Sequence, residues 1–119
     1  MTGLEHAILA LQQAVDAPRR HHVWRWLVRQ RMAGVRDALT RELPREGDAW
    51  LAAREQTLRQ DRDVLVRRLA LLGPRVLEAP DVEPVLVDLH RLVRDLEHHR
   101  QRLNDLVYDS VALELGGSE

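Results

Sequence analysis

Six histidines, nineteen carboxylates and eighteen guanidiniums are the chemistry this chain offers, and a few of them fall on helical stripes that are otherwise apolar. Between Val85 and Leu115 the residues Leu89, Leu92, Leu96, His99, Leu103, Leu106, Ser110 and Leu113 recur at alternating steps of three and four. That spacing places them on one face of a helix, with His99 in the middle of the seam. A second line runs Leu51, Glu55, Leu58, Arg62, Leu65, Leu69, Leu72, and a third runs Val35, Ala38, Glu42, with Glu46 beyond Pro44. Glu42, Glu55, Arg62 and His99 are therefore candidates to point inward. A charge in a helical core is costly unless it is paired. Two readings stay open. Some of these groups sit at the edge of the stripe and snorkel to water, or they form a connected polar cluster, either a metal site or an ion-pair network.

Other groups extend the list. Tyr108 and Ser110 lie near the His99 seam and could bring hydroxyls to a pocket, although a packed phenol with a hydrogen-bonded tip is the simpler expectation for Tyr108. Asp95 with His98 or His99 has spacing for an ion on one helix face, of the adventitious kind. His21-His22 and His98-His99 suit the same incidental chemistry, and His90 lies one step off the stripe. The segment RRHHVWRWLVRQR interleaves basic and aromatic residues, which can suit nucleic acid, anionic lipid or a phosphorylated ligand. Trp24 and Trp26 are about 200° apart on a helix, so at most one of them faces the core squarely. The other suits a groove or a subunit interface. No nucleophile–base pair, phosphate loop or nucleotide fingerprint occurs.

The elements that must hold these groups are helices. No segment alternates with period two, and three punctuation points divide the chain: Asp16-Ala17-Pro18, Leu43 to Asp48, and Gly73-Pro74 through Pro80-Asp81. Proline is tolerated in a first turn and glycine suits a helix end, so the spacing predicts helices over about 3–16, 19–43, 48–72 and 82–115. In this reading Pro74 forbids continuation of the third helix, and Asp81 caps the last, with Pro84 in its first turn. Helices of this length with short loops predict an all-α, up-down-up-down four-helix bundle occupying 1–119 as one domain. The last helix is the longest and is expected to overhang its partners or to support a dimer.

Composition fits that class: 45% hydrophobic, 31% charged, net charge −1. Cysteine is absent, which excludes disulfides and thiolate metal sites. All eighteen basic residues are arginine, a side chain suited to paired burial. No apolar run reaches the roughly 20 residues of a membrane span, and the N-terminus lacks the form of a signal peptide. The expectation is a cytoplasmic protein with no membrane partner and no general bias toward nucleic acid.

With these residues in view, the chain resembles the hemerythrin-like (HHE cation-binding) bundles. The final helix, HHRQRLNDLVYDSVALELGG, is similar to the family's last helix. LTRELPREGDAWL is similar to its second-helix motif and LRQDRDVLVRRL to its third. Carried over residue by residue, His99 matches a ligand histidine, Glu46 a ligand glutamate, and His6 could match the first-helix histidine. Leu103 stands where a glutamate belongs, Glu42 where a histidine belongs, and Arg62 where the third-helix histidine belongs. The stripe Leu4, Ile8, Leu11, Val15 turns His6 away from the apolar face. A guanidinium cannot ligate a cation and brings a positive charge to its place. The resemblance therefore implies a bundle with a degenerate metal site. Its polar pocket or core is drawn from Glu42, Glu46, Glu55, Arg62, His99 and Tyr108, binding a small ligand or a protein partner without a cofactor. Two alternatives stand beside it. One is a non-haem iron or manganese protein or enzyme using His6, Glu42, Glu46 and His99. The other is a helical interaction module, a homodimer through the last helix and the tryptophan face. No reaction or substrate is assigned.

Overall fold

A computed structural model describes residues 3–18, 21–41 and 52–116. Four α-helices account for nearly all of them: α1 (Gly3–Asp16), α2 (His21–Arg41), α3 (Ala52–Glu78) and α4 (Glu83–Gly116). Each packs chiefly on two neighbours, in the cyclic order α1, α2, α3, α4. The molecule measures 60 × 23 × 19 Å, a cross-section two helices wide each way. The fold is an all-α four-helix bundle.

The core follows from the stripes. Leu4, Ile8, Leu11, Ala14 and Val15 are the buried face of α1. From α2 come Trp24, Val28, Met32, Val35, Ala38 and Leu39, and from α3 come Leu58, Leu65, Leu69, Leu72 and Val76. Val85, Leu89, Leu92, Val93, Leu96, Leu103 and Leu106 complete it from α4. Each such side chain contributes about 1.5–3 kcal/mol of transfer free energy on burial. The tryptophans divide as their angular separation requires. Trp24 is buried and its Nε1 donates to the carbonyl of Val15, whereas Trp26 is 58% exposed.

The third helix does not stop at Gly73. It continues through Pro74 to Glu78, two turns past the expected end at residue 72. Proline removes the amide that would bond the carbonyl of Ala70, and its ring crowds the preceding backbone. Three features outweigh that cost. Glycine at 73 has no Cβ for the proline ring to strike. Val76 is fully buried, so the extra turns bring apolar surface into the core. Finally, Arg25 of α2 donates to the carbonyls of Leu77 (3.3 Å) and Ala79 (2.6 Å), closing the frayed end of α3 from a neighbouring helix. The start of α4 is as its sequence predicts, with Asp81 Oδ1 accepting from the amide of Glu83.

Candidate functional site

α3 and α4 run antiparallel, and a ladder of ion pairs fixes their alignment. Arg54 meets Asp109 at 2.6 Å, Arg68 meets Asp95 at 2.6 Å, and Arg75 meets Asp88 at 2.8 Å. Between the first two rungs the signs reverse, and Arg102 of α4 donates to Asp61 of α3. The rungs step by seven along α3 and by seven back along α4. Apart from Asp109, each residue stands one position before a residue on the inward stripe of its own helix, the flanking position of a coiled-coil seam. Behind the rungs, the inward positions of α3 are Glu55, Leu58, Arg62, Leu65, Leu69, Leu72 and Val76, and all but Arg62 are buried. On α4 they are Leu89, Leu92, Leu96, His99, Leu103 and Leu106, all buried.

His99 is thus placed where its stripe predicts, at 1% exposure. Its Nδ1 is buried without a hydrogen-bond partner and lies 3.7 Å from Asp61 Oδ2, the carboxylate already held by Arg102. Burial lowers the imidazole pKa below its ordinary 6.5. The negative charge of Asp61 acts the other way, while the nearby guanidiniums of Arg102 and Arg62 lower it further. The ring is therefore held neutral at neutral pH. Beside the Asp61–Arg102 pair lies a notch of about 240 Å³ lined by Asp61, Val64, Leu65, Arg68, Asp95, His98 and Arg102; His99 itself does not line it. Two carboxylates and two guanidiniums there neutralise each other pairwise.

The remaining candidates separate. Arg62 is half-buried and turns its Nε and an Nη toward Asp63 at 3.2 and 3.1 Å, not toward His99. Glu55 is buried at 8% exposure in the first turn of α3. Tyr108 is 73% exposed and lines no pocket with His99. His6 is exposed on α1, while its neighbour Glu5 accepts from Arg100 and Asn104 of α4. His98 faces the notch and His90 is exposed. Glu42 and Glu46 lie outside the described residues, as do Pro44 and the expected start of the third helix at 48; the side chains of Ser110 and Leu113 are likewise not described.

Two residues off the apolar stripes bear most directly on His99. Asp61 and Arg102 are each one step off a stripe, which reads as surface on a single helix. Their signal was the seven-residue recurrence of Arg54, Asp61, Arg68, Arg75 against Asp88, Asp95, Arg102, Asp109.

A non-haem metal is poorly suited to the described part of this site. No three histidine or carboxylate side chains converge among the described residues, and the positive charges of Arg102 and Arg62 are felt at His99. No family model, curated protein or solved structure significantly matches the chain.

Proposed function

We propose that this chain is a binding protein of the up-down-up-down, hemerythrin-like kind, with its metal positions substituted, and that it takes a small polar ligand at the notch lined by Asp61 and Arg102, the pair next to buried His99. The observation that carries this reading is the buried, unpartnered Nδ1 of His99 beneath the Asp61–Arg102 pair. Buried polar atoms are almost always satisfied, and the exceptions mark strain or function. Because the charges lining the notch cancel, the ligand is a neutral molecule carrying a hydrogen-bonding group, such as an amide or an alcohol, and not a free ion. Val64 and Leu65 offer an apolar wall on one side. Binding is the role assigned; no catalytic step is derived.

Titration with acetamide, methylurea and glycerol, followed on the imidazole resonances of His99, tests it. A saturable shift of those resonances that is lost in Asp61→Ala supports the site. Resonances that stay put with all three compounds, in a protein that remains folded, overturn it. Elemental analysis of untagged protein tests the metal alternative separately: stoichiometric iron or manganese would replace this reading with a metalloprotein.

A further inference from the structure

The ion-pair ladder leaves one charge over. On α4, Asp88 and Asp95 stand one turn before and one turn after Arg91, spacings at which a carboxylate can neutralise an arginine of its own helix. Both are engaged from across the seam instead, Asp88 by Arg75 at 2.8 Å and Asp95 by Arg68 at 2.6 Å. Arg91 therefore forms no ion pair among the described residues. Unpaired guanidiniums are common on this surface, Arg59, Arg67 and Arg94 among them, so a free charge alone selects no ligand. What distinguishes Arg91 is its setting. It lines a cleft of about 430 Å³ between α3 and α4, a volume within the range of small-molecule sites. Buried Leu72 and Leu92 line the same cleft, and so does Leu71, which is 75% exposed. The Arg68–Asp95 rung separates this cleft from the notch next to His99 and lines both. The notch has two guanidiniums against two carboxylates, whereas the cleft has three against two.

We propose that this cleft is a second binding site, separate from the notch, and that it takes a small monocarboxylate with an aliphatic chain. The carboxylate meets Arg91, whose planar fork suits two parallel hydrogen bonds. The chain lies on Leu72 and Leu92 and covers Leu71, which is otherwise left in water. One positive charge in excess calls for one negative charge. A second, as on a phosphate monoester, would face Asp88 and Asp95 in the same cleft. Neither half of the ligand suffices by itself. An anion without a chain gains only an exposed ion pair, which solvent screens, and a chain without the anion leaves Arg91 unmatched.

Titration of isotope-labelled protein with sodium octanoate below its micelle concentration, followed on the amide resonances of Leu71, Leu72 and Leu92, tests the proposal. Expected are saturable shifts with octanoate and none with acetate at the same concentrations. From butyrate to octanoate the affinity rises about twofold per methylene, the gain of a chain covered on one side. Arg91→Gln weakens octanoate binding about fivefold, the strong end of an exposed ion pair, and Leu71→Ser weakens it as well. Both side chains are exposed, and circular dichroism checks that the variants keep the wild-type fold. Absence of saturable shifts with octanoate overturns the proposal. So does equal affinity for octylammonium, or octanoate binding that Arg91→Gln leaves unchanged. Octanoate shifts confined to His98 and His99 overturn it too, because they place the anion in the neighbouring notch; the neutral ligands tested there report on that notch separately.

Discussion

Arg68 of α3 and Asp95 of α4 meet at 2.6 Å, in one rung of a four-rung ladder whose adjacent rung, Asp61 with Arg102, has its signs reversed. That reversal disfavours a slipped register, which the short connection between Glu78 and Glu83 also opposes. Sliding α4 by one heptad in one direction would set Arg54 against Arg102 and Asp61 against Asp95. Sliding it the other way would set Asp61 against Asp109 and Arg68 against Arg102. Either slip produces two like-charged rungs out of three, whereas a ladder of uniform sign would slip with only the loss of an end rung. Like charges at facing positions are disfavoured, which is how flanking charges select alignment. The same reversal brings a carboxylate beside His99.

The ladder predicts coupling without great strength. Side chains in the Arg68–Asp95 rung are 32% and 41% exposed, so solvent screens them. A double-mutant cycle with Arg68→Ala and Asp95→Ala is expected to give a coupling of about 0.5 kcal/mol, within the range of exposed pairs. The double exchange Arg68→Asp with Asp95→Arg should recover most of what Arg68→Asp alone loses. Urea unfolding of the four proteins measures both.

Stability should fall on acidification below the ordinary histidine pKa of 6.5. His99 has its pKa lowered by folding, so between its native value and 6.5 the unfolded chain binds a proton that the native protein does not. Stability from this group is complete above 6.5 and declines as pH drops toward the native pKa. Asp61→Asn removes the one neighbour that raises it, so the His99 ring protons should titrate at still lower pH in that variant. A proton NMR titration of wild type and variant decides it; an upward displacement in Asp61→Asn would contradict the placement of the carboxylate.

His99→Leu should not destabilise the bundle. It replaces a buried ring whose Nδ1 has no partner with a side chain like its neighbours Leu96 and Leu103 on the stripe. The expected change is a gain of about 1 kcal/mol, since a buried polar atom left unpaired carries a penalty of that order. The acid-side decline in stability should shrink with it. Thermal unfolding at pH 7 and at pH 5 would show both effects, and a marked loss at neutral pH would mean that the imidazole makes a bond of structural value. His99→Ala, by contrast, should cost about 2 kcal/mol or more through the cavity it leaves.

At the proline, two neighbouring substitutions should act oppositely. Pro74→Ala restores an amide that can bond the carbonyl of Ala70, and is expected to raise stability by about 1 kcal/mol after allowance for the freer unfolded chain. Gly73→Ala would place a Cβ 2.8 Å from Arg29 Nε and 3.2 Å from its Cδ, so the guanidinium must swing away. It also puts a side chain before a proline inside a helix. A loss of about 1 kcal/mol is expected despite the better helix propensity of alanine. Chemical denaturation of the two variants gives the signs directly.

Much of the fold was legible in the chain. Steps of three and four in Leu4, Ile8, Leu11, Val15 and in Leu89, Leu92, Leu96, His99 named the buried faces correctly, because a helix has only one way to bring such residues together. The start of α4 was legible in Asp81 for the same local reason. What Pro74 does was not. Local rules end a helix there, and the opposing weight comes from Val76 in the core and from Arg25, remote in sequence at the other side of the helix end. Arg62 and Tyr108 were drawn inward by position alone, yet one is held half-buried by Asp63 and the other faces solvent.

By itself the sequence determined a helical chain, its apolar seams and a histidine within one of them, since periodicity and local capping are properties of neighbours along the chain. The tertiary structure alone decided what His99 meets. Asp61 reaches it only because α3 and α4 align in one register, and that alignment joins residues of two helices, which no single stripe contains.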